Sequence, residues 1–108
     1  MGLLTGIIGL SFLKQRQLTL EYKLQKLSFT QMNLADRAVN LVTIGNDLDP
    51  KSPEYRTLES RREKLHLMEK KLTAEMTRYQ TLLKAVDLQI QITQKVINSS
   101  IKRLFSYN

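Results

Sequence analysis

The sequence contains no cysteine, no tryptophan, only two prolines and only four glycines among its 108 residues. Without cysteine, a disulfide framework and a thiolate metal site are both excluded. The scarcity of proline and glycine disfavours a turn-rich sheet protein, and a chain of this length forms one domain at most. So short a chain buries a core only when its elements lie side by side along their length. These absences favour an all-α fold.

Apolar residues recur in alternating steps of three and four through both halves of the chain. The first-half series is Leu3, Gly6, Leu10, Leu13, Gln17, Leu20, Leu24, Leu27, Gln31, Leu34, Ala38 and Leu41, and the second-half series is Leu58, Arg62, Leu65, Glu69, Leu72, Met76, Tyr79, Leu83, Val86, Ile90, Thr93, Ile97, Ser100 and Leu104. This heptad repeat predicts two long amphipathic helices packed as an antiparallel, coiled-coil-like hairpin. Residues 86–93 also alternate like a strand, but they lie inside an unbroken helical pattern, so helix is preferred.

The segment GNDLDPKSP at 45–53 is the one cluster of helix-breaking residues in the sequence. Gly45 is expected to end the first helix in the left-handed conformation. Ser52 is a favourable N-cap, and Pro53 suits the first helical position because its missing N–H costs nothing there. The predicted organisation is a single domain over 1–108, with helix 1 over 1–44, the turn over 45–52 and helix 2 over 53–105.

Antiparallel pairing about this turn places residues of the two series opposite one another. The expected pairs are Leu41 with Leu58, Leu20 with Tyr79, and Leu3 with Ile97. The apolar N-terminal segment, residues 2–13, therefore lies beside the last third of helix 2.

Residues 2–13 are uncharged, and the apolar run ends at Lys14. A membrane-spanning helix needs about 20 apolar residues, so this run is too short to cross a bilayer. It also has neither the basic start nor the small-residue cleavage site of a secretory signal. The sequence thus predicts no cleavable signal and no transmembrane helix, which leaves the cytoplasm and export by a leaderless route both open.

The sequence offers no recognisable catalytic, metal or cofactor site. Asp47, Asp49 and Glu54 cluster at the turn, but their spacing fails the calcium-loop pattern. His66 is the single histidine, without the cysteines or acidic cluster that a zinc site requires. No glycine-rich loop follows a strand to hold a nucleotide. The chain is therefore predicted not to be an enzyme and to need no cofactor.

The net charge of +7 raises the question of nucleic acid. Residues 61–108 hold ten basic and four acidic side chains, whereas residues 45–60 hold two basic and four acidic ones. The basic residues at the start of helix 2 alternate with acidic ones, which is typical of a solvated coiled-coil face with i,i+3 and i,i+4 pairs. Because the chain has no uninterrupted basic tract and no aromatic stacking platform, the sequence does not favour nucleic acid as a partner.

Both termini of the hairpin carry more apolar surface than one partner helix covers, so another molecule is expected to cover it. The sequence predicts a self-assembling structural subunit of a filament, tube or needle-like polymer, with the chain itself as its partner. The predicted subunit interface is Leu3, Gly6, Ile7, Leu10, Leu13, Ile90, Ile97, Ile101 and Phe105.

Acidic turn residues Asp47, Asp49 and Glu54 are expected to pair with Lys95, Lys102 and Arg103 of a neighbour. The alternatives are a peripheral membrane or scaffold protein docking by its apolar N-terminus, and a helical adaptor or chaperone.

Three features together resemble the needle subunits of bacterial type III secretion systems. They are Asp49-Pro50 in the turn, the helix that begins at Pro53, and the ending VINSSIKRLFSYN at 96–108, where aliphatic residues give way to Phe105. Those needle subunits are small, cysteine-free helical hairpins that polymerise through their termini into a hollow tube. The resemblance extends over residues 47–108 and implies a secretion-related polymer.

Overall fold

The computed structural model describes residues 2–106 and contains two α-helices, α1 (Leu3–Asn46) and α2 (Pro53–Ser106). The helices pack as an antiparallel hairpin, which confirms the predicted all-α fold. Residues 86–93, the stretch with strand-like alternation, are helical, and residues 2–106 contain no strand. Positions 1, 107 and 108, at the ends of the predicted 1–108 domain, lie outside the described residues.

One face of each helix is turned inward, and it is the face that the heptad repeat predicts. Every residue of the two predicted series is buried or half-buried, apart from Gln31, Arg62 and Leu104. The buried residues are Leu20, Leu34, Leu58, Leu65, Leu72, Val86 and Ile90. Full burial of such an aliphatic side chain contributes about 1.5–3 kcal/mol, so this seam is the principal source of the hairpin's stability.

The hairpin comprises two compact units, each with its own apolar cluster. The terminal unit consists of residues 1–24 and 79–108, of which 1, 107 and 108 are not described. Its buried residues are Leu20, Val86 and Ile90, with the half-buried Leu10, Leu13, Tyr79, Leu82 and Leu83 packed against them. The turn unit consists of residues 25–78. Its cluster is Leu34, Leu65 and Leu72, with Leu27, Ala38, Leu41 and Met76 packed against it.

The helical conformation of α1 continues through Gly45 to Asn46, two residues past its predicted end at 44. The Asp47 N–H donates to the Ile44 carbonyl at 3.1 Å, and the Leu48 N–H donates to the Gly45 carbonyl at 3.3 Å, so the last turn tightens without reversing hand. No described glycine has a positive φ. The expectation that Gly45 ends the helix in the left-handed conformation is therefore wrong.

A compact set of hydrogen bonds fixes the start of α2. The Ser52 hydroxyl accepts from the Tyr55 N–H at 3.2 Å and donates to the Asp49 carbonyl at 2.7 Å. The Asp49 carboxylate accepts from the Lys51 N–H at 3.1 Å, forming an Asx turn. Pro53 is the first helical residue. The predicted N-cap at Ser52 is thus confirmed, and it satisfies one of the N–H groups that a helix leaves unpaired at its start.

Two glycines of α1 face α2 closely. In the terminal unit the Cβ position of Gly6, three residues after Leu3, lies 3.1 Å from Ile97 Cγ1. In the turn unit the Cβ position of Gly45, four residues after Leu41, lies against Leu58. Tyr79 packs against the cluster that contains Leu20, in agreement with the predicted pair, and the pairs Leu3–Ile97 and Leu41–Leu58 stay predictions.

Candidate interaction surfaces

Several residues that were predicted to contact other subunits hold the hairpin itself together. Ile90 is only 8% exposed and belongs to the cluster of the terminal unit, against which Leu10 and Leu13 pack. Gly6 faces Ile97 across the two helices. A side chain that fills the seam has little surface left for a neighbour, and contact of these residues with other subunits stays a prediction. Of the other predicted members, Leu3 and Ile101 are half-buried, while Ile7 and Phe105 are exposed.

Apart from Ile7, the large apolar side chains that are exposed on α1 in the terminal unit lie on the side of the helix away from the seam. They are Leu4, Ile8, Phe12, Leu18 and Tyr22, and Leu4 and Phe12 are 71% and 72% exposed. We call this set the α1 outer stripe. The sequence predicted excess apolar surface near the N-terminus but did not separate these residues from the seam. The sequence does contain a signal for this surface, because most of these residues recur in steps of four outside the heptad seam positions.

A second apolar row lies on the outer face of α2 in the terminal unit. Leu88, Ile92 and Val96 are spaced by four residues, and each is more than half exposed. Lys84, Lys95 and Lys102 are exposed on the same helix. Lys95 and Arg103 also line a shallow depression whose other walls are Val96, Ser99 and Ser100.

The charged groups that were predicted to pair between subunits are all exposed. Asp47, Asp49 and Glu54 lie in the turn unit, and Lys95, Lys102 and Arg103 lie in the terminal unit. The Asp49 carboxylate already accepts a hydrogen bond from the Lys51 N–H. Pairing of these groups between neighbouring subunits stays a prediction.

Gln17 and Lys23 each make a polar contact from α1 to α2 in the terminal unit. Gln17 Nε2 donates to Asp87 Oδ1 at 2.7 Å, in a partly buried position beside the apolar cluster. The Lys23 ammonium lies 5.3 Å from the centroid of the Tyr79 ring, within the range of a cation–π interaction. The hydrogen bond joins a heptad position of α1 to the flank of α2, so it opposes sliding of one helix along the other.

The turn unit contains a groove lined by a mixture of charged and apolar side chains, namely Ala38, Val42, Glu59, Arg62, Glu63, Leu65, His66 and Glu69. Arg62 pairs with Glu59 at 3.1 Å, an i,i+3 ion pair of the kind that the charge pattern predicts. His66 is an exposed helix residue, as expected. Within residues 2–106, no three histidine or carboxylate side chains lie close enough together to hold a metal ion.

Neither described helix contains a stretch long and apolar enough to cross a membrane. Comparison of the chain with protein-family models, with curated proteins and with solved structures gave no match.

Proposed function

We propose that this chain is a self-assembling structural subunit of a helical filament, tube or needle-like polymer. The observation that carries the proposal is the exposed apolar surface of the terminal unit, above all the α1 outer stripe. A hairpin of two helices has no interior for a face opposite its seam, so that face stays in water until another molecule covers it. Contiguous exposed apolar surface of this kind is typical of protein interaction sites.

The N-terminal segment favours protein neighbours over lipid. Residues 2–13 carry no charge; Leu4, Ile7, Ile8 and Phe12 are exposed, whereas Leu10 and Leu13 pack into the seam, so the segment is apolar on both its outer and its inner side. A segment that is apolar on several sides is best covered by several neighbouring helices, as in a bundle or helical polymer. Phe105, 74% exposed near the other end of the chain, extends this apolar surface on α2. The likeness to secretion needle subunits belongs with this proposal, since those proteins also polymerise through their termini.

Docking of residues 2–13 on a membrane is the weaker proposal. An interfacial helix needs one apolar face and one polar face with lysine or arginine at the boundary. The segment has no charged face, and Lys14 and Arg16 lie only at its edge. A helical adaptor or chaperone would use the same apolar surface, but it would remain a monomer until it met a different protein.

The test is the oligomeric state of the purified chain, measured by light scattering over a range of concentrations and by electron microscopy. We expect concentration-dependent large assemblies, and we expect deletion of residues 2–10 to reduce their size. Circular dichroism of the truncated chain should still show a helical protein, because the clusters around Val86 and Leu65 remain. A full-length chain that stays monomeric at every concentration would refute the proposal in favour of an adaptor.

A further inference from the structure

The face of α2 between Lys84 and Arg103 combines an exposed apolar row with the charged border that the N-terminal segment lacks. Leu88, Ile92 and Val96 form an apolar row that is 58%, 53% and 55% exposed. Successive members are four residues apart, so they follow one another along one side of the helix. The seam of α2 uses other positions, and the hairpin itself leaves this row uncovered.

A row of lysines borders the apolar row. Lys84, Lys95 and Lys102 are separated by eleven and seven residues. At 3.6 residues per turn these spacings bring the three side chains within about 20° of one another around the helix axis. All three are exposed. The outer face of α2 is therefore divided lengthwise into an apolar row and a basic row.

Beyond residue 87 no acidic group offsets this basic row. Asp87 is the last acidic residue of the sequence, and its carboxylate is held by Gln17 across the hairpin. The terminal unit as a whole is strongly basic: its cationic residues are Lys14, Arg16, Lys23, Lys84, Lys95, Lys102 and Arg103, and its acidic residues are Glu21 and Asp87. The basic row thus attracts a negatively charged surface, and burial of the exposed apolar row in a nonpolar environment would be favourable.

We propose that this outer face of α2 docks on the surface of an anionic lipid bilayer. Leu88, Ile92 and Val96 would enter the boundary between headgroups and acyl chains, while the lysine stems lie along it and their ammonium groups stay at the lipid phosphates. A nucleic acid would use the lysines but leave the aliphatic row without a partner, and this face has no aromatic ring on which a base could stack. The proposal is separate from self-assembly, since it uses the outer face of α2 whereas self-assembly uses the α1 outer stripe.

The same basic groups were expected to meet Asp47, Asp49 and Glu54 of a neighbouring subunit. Acidic turns would satisfy the ammonium groups, but within residues 44–54 the one large apolar side chain that is exposed is Ile44, against three in the apolar row of α2. An anionic bilayer covers both rows at once, and for this reason we assign the face to lipid.

The experiment is flotation of the full chain on a density gradient with vesicles of phosphatidylcholine and phosphatidylserine. Flotation is preferred to sedimentation because polymers of the chain sink without lipid. Lys84→Gln/Lys95→Gln/Lys102→Gln removes the basic row, and Ile92→Gln/Val96→Gln interrupts the apolar row. The matched controls lie on exposed positions of α2 in the turn unit: Lys64→Gln/Lys70→Gln/Lys71→Gln and Leu67→Gln/Met68→Gln.

We expect the wild-type chain and both controls to float with anionic vesicles. With vesicles of phosphatidylcholine alone they should remain at the bottom of the gradient. The triple lysine variant should bind roughly 100-fold more weakly, given the usual contribution of each lysine near an anionic surface. The Ile92/Val96 variant should also lose binding. Since the chain has no tryptophan, Leu88→Trp supplies a single reporter whose emission should shift to the blue with anionic vesicles, unlike that of Leu67→Trp.

Three results would overturn the assignment. Flotation that survives either α2 variant would show that another surface meets the lipid. Duplex DNA binding that needs the three lysines, without any flotation, would assign the face to nucleic acid. Loss of oligomers in the lysine variant, reproduced by Asp47→Asn/Glu54→Gln and accompanied by unchanged flotation, would assign it to a neighbouring turn. Light scattering without vesicles reports self-assembly separately, so either proposal can fail alone.

Discussion

The Cβ position of Gly45 lies 2.8 Å from Cδ2 of Leu58, closer than a side-chain carbon normally approaches another carbon. Leu58 is 5% exposed, so its methyl group has little room to move aside. Alanine at position 45 gains about 1 kcal/mol of helix propensity but costs about 1–3 kcal/mol in overpacking. We expect Gly45→Ala to lower the free energy of unfolding by about 1 kcal/mol in urea denaturation.

Gly9 provides the matched control for this substitution. Nothing lies within 4 Å of its Cβ position, so alanine meets open space there. Gly9→Ala should therefore raise the free energy of unfolding by up to about 1 kcal/mol. Equal stabilisation by both substitutions would show that the contact between Gly45 and Leu58 relaxes at no cost.

The hydrogen bond from Gln17 to Asp87 is expected to stabilise the terminal unit measurably. Because its acceptor is a carboxylate and its position is partly buried, Gln17→Ala should cost about 1–2 kcal/mol. Gln15→Ala, at an exposed position of the same helix, should have little effect. A double-mutant cycle with Asp87→Ala, followed by urea denaturation, isolates the pair. A coupling energy of zero would contradict this expectation.

The Ser52 cap is expected to contribute to the start of α2. Ser52→Ala removes the acceptor of the Tyr55 N–H and the donor to Asp49, and it should cost about 1 kcal/mol. Ser60→Ala lies at an exposed position within α2, where alanine is the better helix former, and should be neutral or slightly stabilising. The melting temperatures of the two variants give the comparison, and equal values would argue against the cap.

Phe12 is expected to matter for assembly and not for folding. It is 72% exposed in the terminal unit, and Phe29, in the turn unit, is 68% exposed. Each substitution to glutamine should change the free energy of unfolding by no more than about 0.5 kcal/mol. Light scattering should show smaller assemblies for Phe12→Gln and unchanged ones for Phe29→Gln. Smaller assemblies for Phe29→Gln and unchanged ones for Phe12→Gln would place the assembly surface in the turn unit.

The seam and the start of α2 were predictable because both depend on local pattern. Leucine at heptad spacing determines which face of a helix turns inward, and Leu20, Leu34 and Leu65 are buried as that spacing requires. The Ser52-Pro53 pair likewise fixes a helix start within a few residues of sequence. Both predictions depend only on residues that are close in sequence, and neither depends on contacts with the partner helix.

The close approach at Gly45 and the outward surfaces were less predictable because they depend on contacts between distant residues. Gly45 was expected to end α1, whereas α1 continues to Asn46 and the absence of a side chain at position 45 leaves space for Leu58. The inward position of Ile90 and the outward position of Phe12 follow from which face each helix presents to its partner. A pattern of apolar letters does not distinguish these two faces when both are apolar.

The number of residues between the contacting side chains of the terminal unit also determines when, during synthesis, these side chains can first pack together. Gln17 and Asp87 are separated by 70 residues, a stretch that a ribosome needs roughly 4–14 s to synthesise. Throughout that interval Leu10 and Leu13 lack the α2 side chains against which they pack in the finished hairpin. The turn unit, whose partners are closer in sequence, pairs earlier. The topology of the hairpin thus creates a period during translation when its apolar segment is open to chaperones and to other copies, before its own helix partner exists.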